Sequence, residues 1–229
     1  MPSVLAYDYG GTLEKDGRLH EPMVAALQAA RMAGFAQVLV TRLTFVELLR
    51  VLPNALALFD RVVCENGAVL ARAGEQSAPL VAPVDATLDE ALVRRGIDSE
   101  RGQVIVTLEA RHEQALREVV EELDLDVRLA RDRETLLVVP AAISKAAGLS
   151  HALASLGVGC GQTIAFGDAQ NDREMLSVCA LGVAVGDAVA ELKMEADVVL
   201  HEPGPEGVAK FVLSLVAASG PAGGREPED

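Results

Sequence analysis

An α/β fold built on a doubly wound parallel sheet is what this chain of 229 residues predicts, and three observations predict it. Short β-rich runs that are apolar almost throughout alternate with segments of helical period, the pattern of a parallel sheet covered on both faces. The polar residues with chemistry to offer fall just after those apolar runs, at the carboxyl ends of the strands, where open α/β sheets place their sites. The middle of the chain breaks the alternation with two strands in succession, which predicts a small α+β cap domain inserted into the core.

The strands of the core are read at Val4–Tyr7, Gln37–Val40, Arg61–Cys64, Thr163–Phe166, Val183–Val185 and Asp197–Leu200. The helices are read at Glu21–Ala33, Phe45–Leu52, Lys145–Leu156, Asp172–Val178, Ala188–Met194 and Gly207–Ala217. Pro22 near the start of the first helix and Gly34 just past its end match the usual helix asymmetry. After Glu65-Asn66-Gly67 the order becomes strand, helix (Leu88–Arg95), strand (Gln103–Leu108), helix (His112–Leu123), strand (Asp126–Ala130) and strand (Thr135–Val139). The expected division is a core of residues 1–71 and 141–218, a cap of 72–140, and a disordered Gly/Pro/Glu-rich tail of 219–229.

Composition excludes several classes of function. The formal charge of −14 opposes binding to nucleic acid or an anionic membrane, which need a basic stripe. Aromatics are only 3%, with no Trp to stack on bases. No apolar stretch approaches the ~18 residues of a membrane span, and no signal peptide is visible, so a cytoplasmic protein is expected. The three cysteines stand at unrelated spacings and read as buried thiols in a reducing compartment. As to assembly, the sequence leaves monomer and homodimer open.

Four signals carry chemistry. Asp8 ends the first strand and opens Asp8-Tyr9-Gly10-Gly11-Thr12-Leu13, in which the glycines admit a ligand to the backbone and Thr12 offers a hydroxyl. Alone, such an Asp is more often a turn or cap residue, and the Gly-Gly-Thr that follows brings the functional reading level with that one. Thr41 follows the second core strand, as a hydroxyl donor to an anion or as a helix N-cap. Lys145, one of only four lysines, opens a helix, where it opposes the macrodipole. Gly167-Asp168-Ala169-Gln170-Asn171-Asp172 follows the fourth core strand, and its paired carboxylates suit Mg²⁺ or, in the plainer reading, an Asx turn and a cap.

In combination, order and spacing these stretches resemble the haloacid dehalogenase superfamily, in the Cof-like group of phosphatases whose cap lies between the second and third motifs. Cys64-Glu65-Asn66-Gly67-Ala68 and Val183-Ala184-Val185-Gly186-Asp187 follow the same pattern. The resemblance implies a phosphatase for a small phosphorylated metabolite, with Asp8 as the nucleophile that forms an aspartyl-phosphate and Thr41 and Lys145 holding the transferring oxygens. It implies Mg²⁺ on Asp8, the Gly10 carbonyl, Asp168 and Asp172, and phosphate contacts from Gly11, Thr12, Arg42 and Asn171.

Two positions depart from the family. Its second aspartate, the proton carrier two residues after the nucleophile, is Gly10 here, and Thr41 is followed at once by Arg42 where Thr-Gly-Arg is usual. Gly10 keeps the metal-binding carbonyl and loses the acid/base. Tyr9, Glu14, Asp16 and His20 are the neighbouring candidates to replace it. The alternative function is a weak or inactive relative that binds a phosphometabolite without turnover. A phosphonate hydrolase, which needs a cap lysine, is disfavoured because residues 72–140 contain none.

Overall fold

The structure, a computed structural model, describes residues 2–132 and 134–219. The first elements are β1 (Val4–Asp8), the hairpin β2 (Glu14–Lys15) and β3 (Arg18–Leu19), α1 (Glu21–Met32), β4 (Ala36–Val40), α2 (Phe45–Val51), α3 (Ala55–Leu58), β5 (Arg61–Cys64), β6 (Val69–Ala71) and β7 (Ala78–Pro79). There follow α4 (Thr87–Arg94), β8 (Ser99–Arg101), β9 (Val106–Glu109), α5 (Glu113–Glu122), β10 (Val127–Asp132) and β11 (Thr135–Pro140). The chain returns through α6 (Lys145–Ala154), β12 (Thr163–Gly167), α7 (Arg173–Val178), β13 (Leu181–Ala184), α8 (Ala190–Glu195), β14 (Val198–Val199) and α9 (Gly204–Ala218).

Eight strands form one sheet in the order β14-β13-β12-β1-β4-β5-β6-β7. The run from β14 to β5 is parallel, and β6 and β7 add an antiparallel edge. From β1 the chain steps outward through β4 and β5, then returns to the other side of β1 and steps away through β12, β13 and β14. The direction of winding therefore reverses between β1 and β12, and the crevice beyond their carboxyl ends is the topological switch point. Every residue of β1 and β12 is buried, as the unbroken apolar runs require. The helices α1 and α9 pack together, as do α6 and α7.

A second sheet, β10-β11-β9-β8, is antiparallel throughout. One face packs on α4 and α5 in an apolar cluster that includes Leu88, Leu92, Val106, Leu116, Leu136 and Val138. The alternate residues Leu137 and Val139 of β11 join the main core. The period-2 alternation of β11 thus glues the small sheet to the large one.

The elements differ from the sequence reading chiefly where strands are short. The segment Ser-Glu-Arg at β8 has no apolar pattern and is held by its pairing with β9 and by the bonds of Arg101 to Asp89 and the Val84 and Asp85 carbonyls. Residues 78–79, inside the range read as cap, pair with β6 in the large sheet. The strand read at Gln103–Leu108 begins at Val106, because Val104 and Ile105 turn into the main core. Of the tail read at 219–229, Ser219 caps α9 and the rest lies outside the described residues.

Candidate active site

Asp8 is the last residue of β1, 4% exposed, beside Val40 in the register with β4. The Lys145 ammonium donates to Asp8 Oδ1 at 2.6 Å and to Asp172 Oδ1 at 2.7 Å, and is itself buried. The position of Lys145 is set by close packing behind it. Ser144 caps α6 by accepting from the Ala147 N–H, and the start of the helix presses on the turn at residues 65–67. A Cβ on Gly67 would lie 2.0 Å from the Ser144 carbonyl oxygen, and one on Gly148 would lie 2.4 Å from Gly67 Cα. That turn is strained: Glu65, Asn66 and Gly67 have φ of 53°, 56° and 111° in succession.

The loop after β12 supplies the other carboxylates. Asp172 Oδ2 accepts the N–H groups of Asp168 and Ala169, each at 3.0 Å, so its side chain folds back over the loop. Gly167 permits this, since a Cβ there would meet Asp172 Cβ at 2.6 Å. The Thr12 hydroxyl donates to Asp168 Oδ1 at 3.4 Å and ties the β1 loop to the β12 loop.

Ligand oxygens of Asp8, Asp168 and Asp172 lie within 4.8 Å of one another, all buried. Burial, then Asp172 and Asp168, hold Asp8 well above the usual carboxylate range, with Lys145 opposing them. For Lys145, burial works against the ammonium, but Asp172, Asp8 and Asp132 together hold it charged above the ordinary lysine value. Three buried carboxylates crowd together here, with the Lys145 ammonium against two of them. Ionised together they repel one another, a costly arrangement that a divalent cation with hard oxygen ligands would relieve.

The remaining residues singled out in the sequence spread around this cluster. Thr41 is buried next to Asp8's strand neighbour, and its Oγ1 accepts from the Leu43 N–H, leaving its own proton to donate. Gly10 is exposed, and a Cβ there would meet nothing within 4 Å. Gly11, at φ 79°, donates its N–H to Glu14 Oε1 at 3.3 Å, and Gly17 donates to Glu14 Oε2 at 2.5 Å. Glu14 thus braces the hairpin against the loop. The Tyr9 hydroxyl is buried without a partner among the described residues, and burial, with Glu14 nearby, pushes it up to about 12.

Arg42 pairs across the seam with Asp132 of β10, and Asn171 donates to Asn66 Oδ1 at 3.2 Å. Two residues that sequence reasoning left without a role hold the sheets together. Glu65 is fully buried and accepts from the N–H groups of Gln103, Val104 and Ile105 at 2.7, 2.7 and 3.1 Å. Asp132 is the other, and it lies beyond the end of the strand read at Asp126–Ala130, since β10 runs on to residue 132.

A family profile described as haloacid dehalogenase-like hydrolase matches residues 93–212, slightly more than half of the chain. The protein belongs to the haloacid dehalogenase-like hydrolases. Among curated relatives, the stress response protein YhaX of Bacillus subtilis is 40% identical over 76 residues, 33% of this chain and only 26% of YhaX. A phosphoglycolate phosphatase of Halorubrum lacusprofundi is 29% identical over 178 residues, covering 71% of this chain and 78% of that protein. The crystal structure of the subclass IIB sugar phosphatase BT4131 superposes with a TM-score of 0.76 at 20% identity, over 93% of this chain and 98% of the other. That likeness shows that this hydrolase shares the BT4131 fold. Among the described residues no helix is long and apolar enough to cross a membrane.

Proposed function

We propose that this hydrolase is a Mg²⁺-dependent phosphatase acting in the cytoplasm on a small phosphorylated metabolite. The observation that carries the reading is the buried cluster at the switch point: Asp8, Asp168 and Asp172 around the Lys145 ammonium. The names of its relatives, among them phosphoglycolate phosphatase, support the same reading.

Asp8 Oδ1 is held by Lys145, which leaves Oδ2 to attack phosphorus. A P–O bond to Asp8 forms as the P–O bond to the leaving group breaks, and the leaving oxygen takes up a proton. Water then cleaves the aspartyl-phosphate, releasing orthophosphate and restoring the carboxylate. Lys145 and the Thr41 hydroxyl serve the transferring oxygens, with Gly11, Thr12, Arg42 and Asn171 around them. Asp8, Asp168, Asp172 and the Gly10 carbonyl would hold Mg²⁺, which when bound would supply positive charge against that building on the phosphoryl oxygens. The four-stranded sheet with α4 and α5 acts as the cap that shapes substrate choice.

Gly10 offers no side chain to protonate the leaving oxygen. Substrates whose leaving group is stable as an anion, such as an aryl or acyl phosphate, are therefore favoured over alkyl phosphates. The same gap supports a second reading, in which a phosphometabolite is bound or the aspartyl-phosphate persists without turnover. Purified protein with Mg²⁺, assayed on p-nitrophenyl phosphate and a panel of phosphometabolites beside Asp8→Asn, tests both. Turnover above the Asp8→Asn background is expected, and its absence on every substrate would sink the phosphatase reading.

A further inference from the structure

Arg42 leaves the carboxyl end of β4 directly after Thr41, and its Nε meets Asp132 Oδ2 at 2.5 Å. Asp132 closes β10, in the other sheet. Alternation along β10 sorts its side chains between two faces. Val127 and Leu129 pack on the α4/α5 cluster, whereas Ala130 packs on the main core and Arg128 bonds the Ile143 carbonyl and Glu174. Asp132 falls on the second of these faces and is only 16% exposed. Its charge also bears on Lys145, whose ammonium holds Asp8. A carboxylate from the small sheet therefore pairs with Arg42 and bears electrostatically on Lys145.

The chemistry of the pair is directional. A guanidinium carries five donors in a rigid fork, and the ion pair with Asp132 makes its closest approach at the Nε edge. No other acceptor among the described residues pairs with Arg42, so its Nη groups remain to bind an anion. Arg42 also borders a cleft of about 480 Å³ between the sheets, but its wall carries Glu47, Asp98, Glu100, Glu109 and Glu134, so the anion site lies on the side of Asp8 and not in that cleft.

We propose that Asp132 is a positioning residue that fixes Arg42 with its Nη groups turned to the phosphoryl oxygens, so that anion capture depends on the small sheet being docked. The inference rests on the phosphoryl-site reading above and extends it to a residue that touches neither substrate nor Asp8.

Orthophosphate binding, measured by calorimetry with Mg²⁺ present, tests it on the full chain and on Asp132→Asn, Asp132→Glu, Arg42→Gln and the Arg42→Gln/Asp132→Asn pair. Asp132→Asn should weaken binding about tenfold, the scale of one charge-assisted hydrogen bond lost. Asp132→Glu should recover most of it, and the double variant should bind no more weakly than Arg42→Gln alone. Unchanged or tighter binding by Asp132→Asn would overturn the proposal, the latter by showing that Asp132 competes with phosphate for Arg42. Losses that multiply in the double variant would also overturn it, since Asp132 would then act independently of Arg42. A wild type that binds orthophosphate but hydrolyses nothing refutes the phosphatase reading and leaves this inference standing. A wild type with normal turnover and an indifferent Asp132→Asn refutes this inference alone.

Discussion

At the scale of residues, Gly10 and Lys145 define what the site can do. The space beyond Gly10 is open and its φ lies outside the left-handed region, so an aspartate fits there without strain. Gly10→Asp should raise kcat/KM on an alkyl phosphate by about 10²–10⁴, the usual contribution of a positioned acid, and change p-nitrophenyl phosphate hydrolysis little. Equal gains on both substrates, or none, would show that proton transfer is not what the glycine removed. Asp8 provides a pH test. Its folded pKa is raised above the unfolded value, so its contribution to stability is fully present below the unfolded pKa and is lost as pH rises through the folded one. Without metal, the melting temperature should therefore fall as pH rises above the ordinary carboxylate range, and Asp8→Asn should flatten that slope. A wild-type slope identical to that of the variant would contradict the assignment.

Elements position these residues through contacts that tolerate no added atom. A methyl on Gly148 would collide with Gly67, so Gly148→Ala must push α6, and Lys145 with it, off the 65–67 turn. Overpacking of this kind costs about 1–3 kcal/mol, which chemical denaturation would measure, and kcat should fall with it. Glu65 offers the complementary test. Glu65→Ala leaves the Gln103, Val104 and Ile105 amides without their acceptor, at roughly 1–3 kcal/mol for each buried group. A loss of about 3 kcal/mol or more in urea unfolding is expected, and a loss under about 1 kcal/mol would mean that water replaces the carboxylate. The elements themselves were largely legible, because buried parallel strands are apolar on both faces. β8 and the β2–β3 hairpin were not, since each is a few polar residues that become strand only by pairing.

For the whole molecule, the buried carboxylates are a liability that ligand binding should reverse. Mg²⁺ that binds only the folded state at about 100 times its Kd adds roughly 2.7 kcal/mol of stability, so millimolar Mg²⁺ should raise the melting temperature. Asp168→Asn should abolish most of that rise, and a rise that survives the substitution would place the cation elsewhere. A dependence of phosphate binding on the small sheet, as inferred for Asp132, would also belong to this scale, because it couples two sheets that meet through Leu137, Val139 and the Arg42–Asp132 pair.

The chain's own order of residues determined the alternation of buried strands and helices, the place of Asp8, Thr41, Lys145 and Asp168 just beyond or at strand and helix ends, and the missing side chain at Gly10. Those are local properties, written in apolar runs and in the residues that interrupt them. Tertiary structure alone decided that Lys145 bridges Asp8 and Asp172, that Glu65 receives three amides from a segment some forty positions away, and that Asp132 reaches Arg42. Such contacts join residues far apart in sequence, and they depend on which face of a strand looks across the seam. A one-residue shift in β10 would keep its composition and turn Asp132 away, so composition could not reveal the pair.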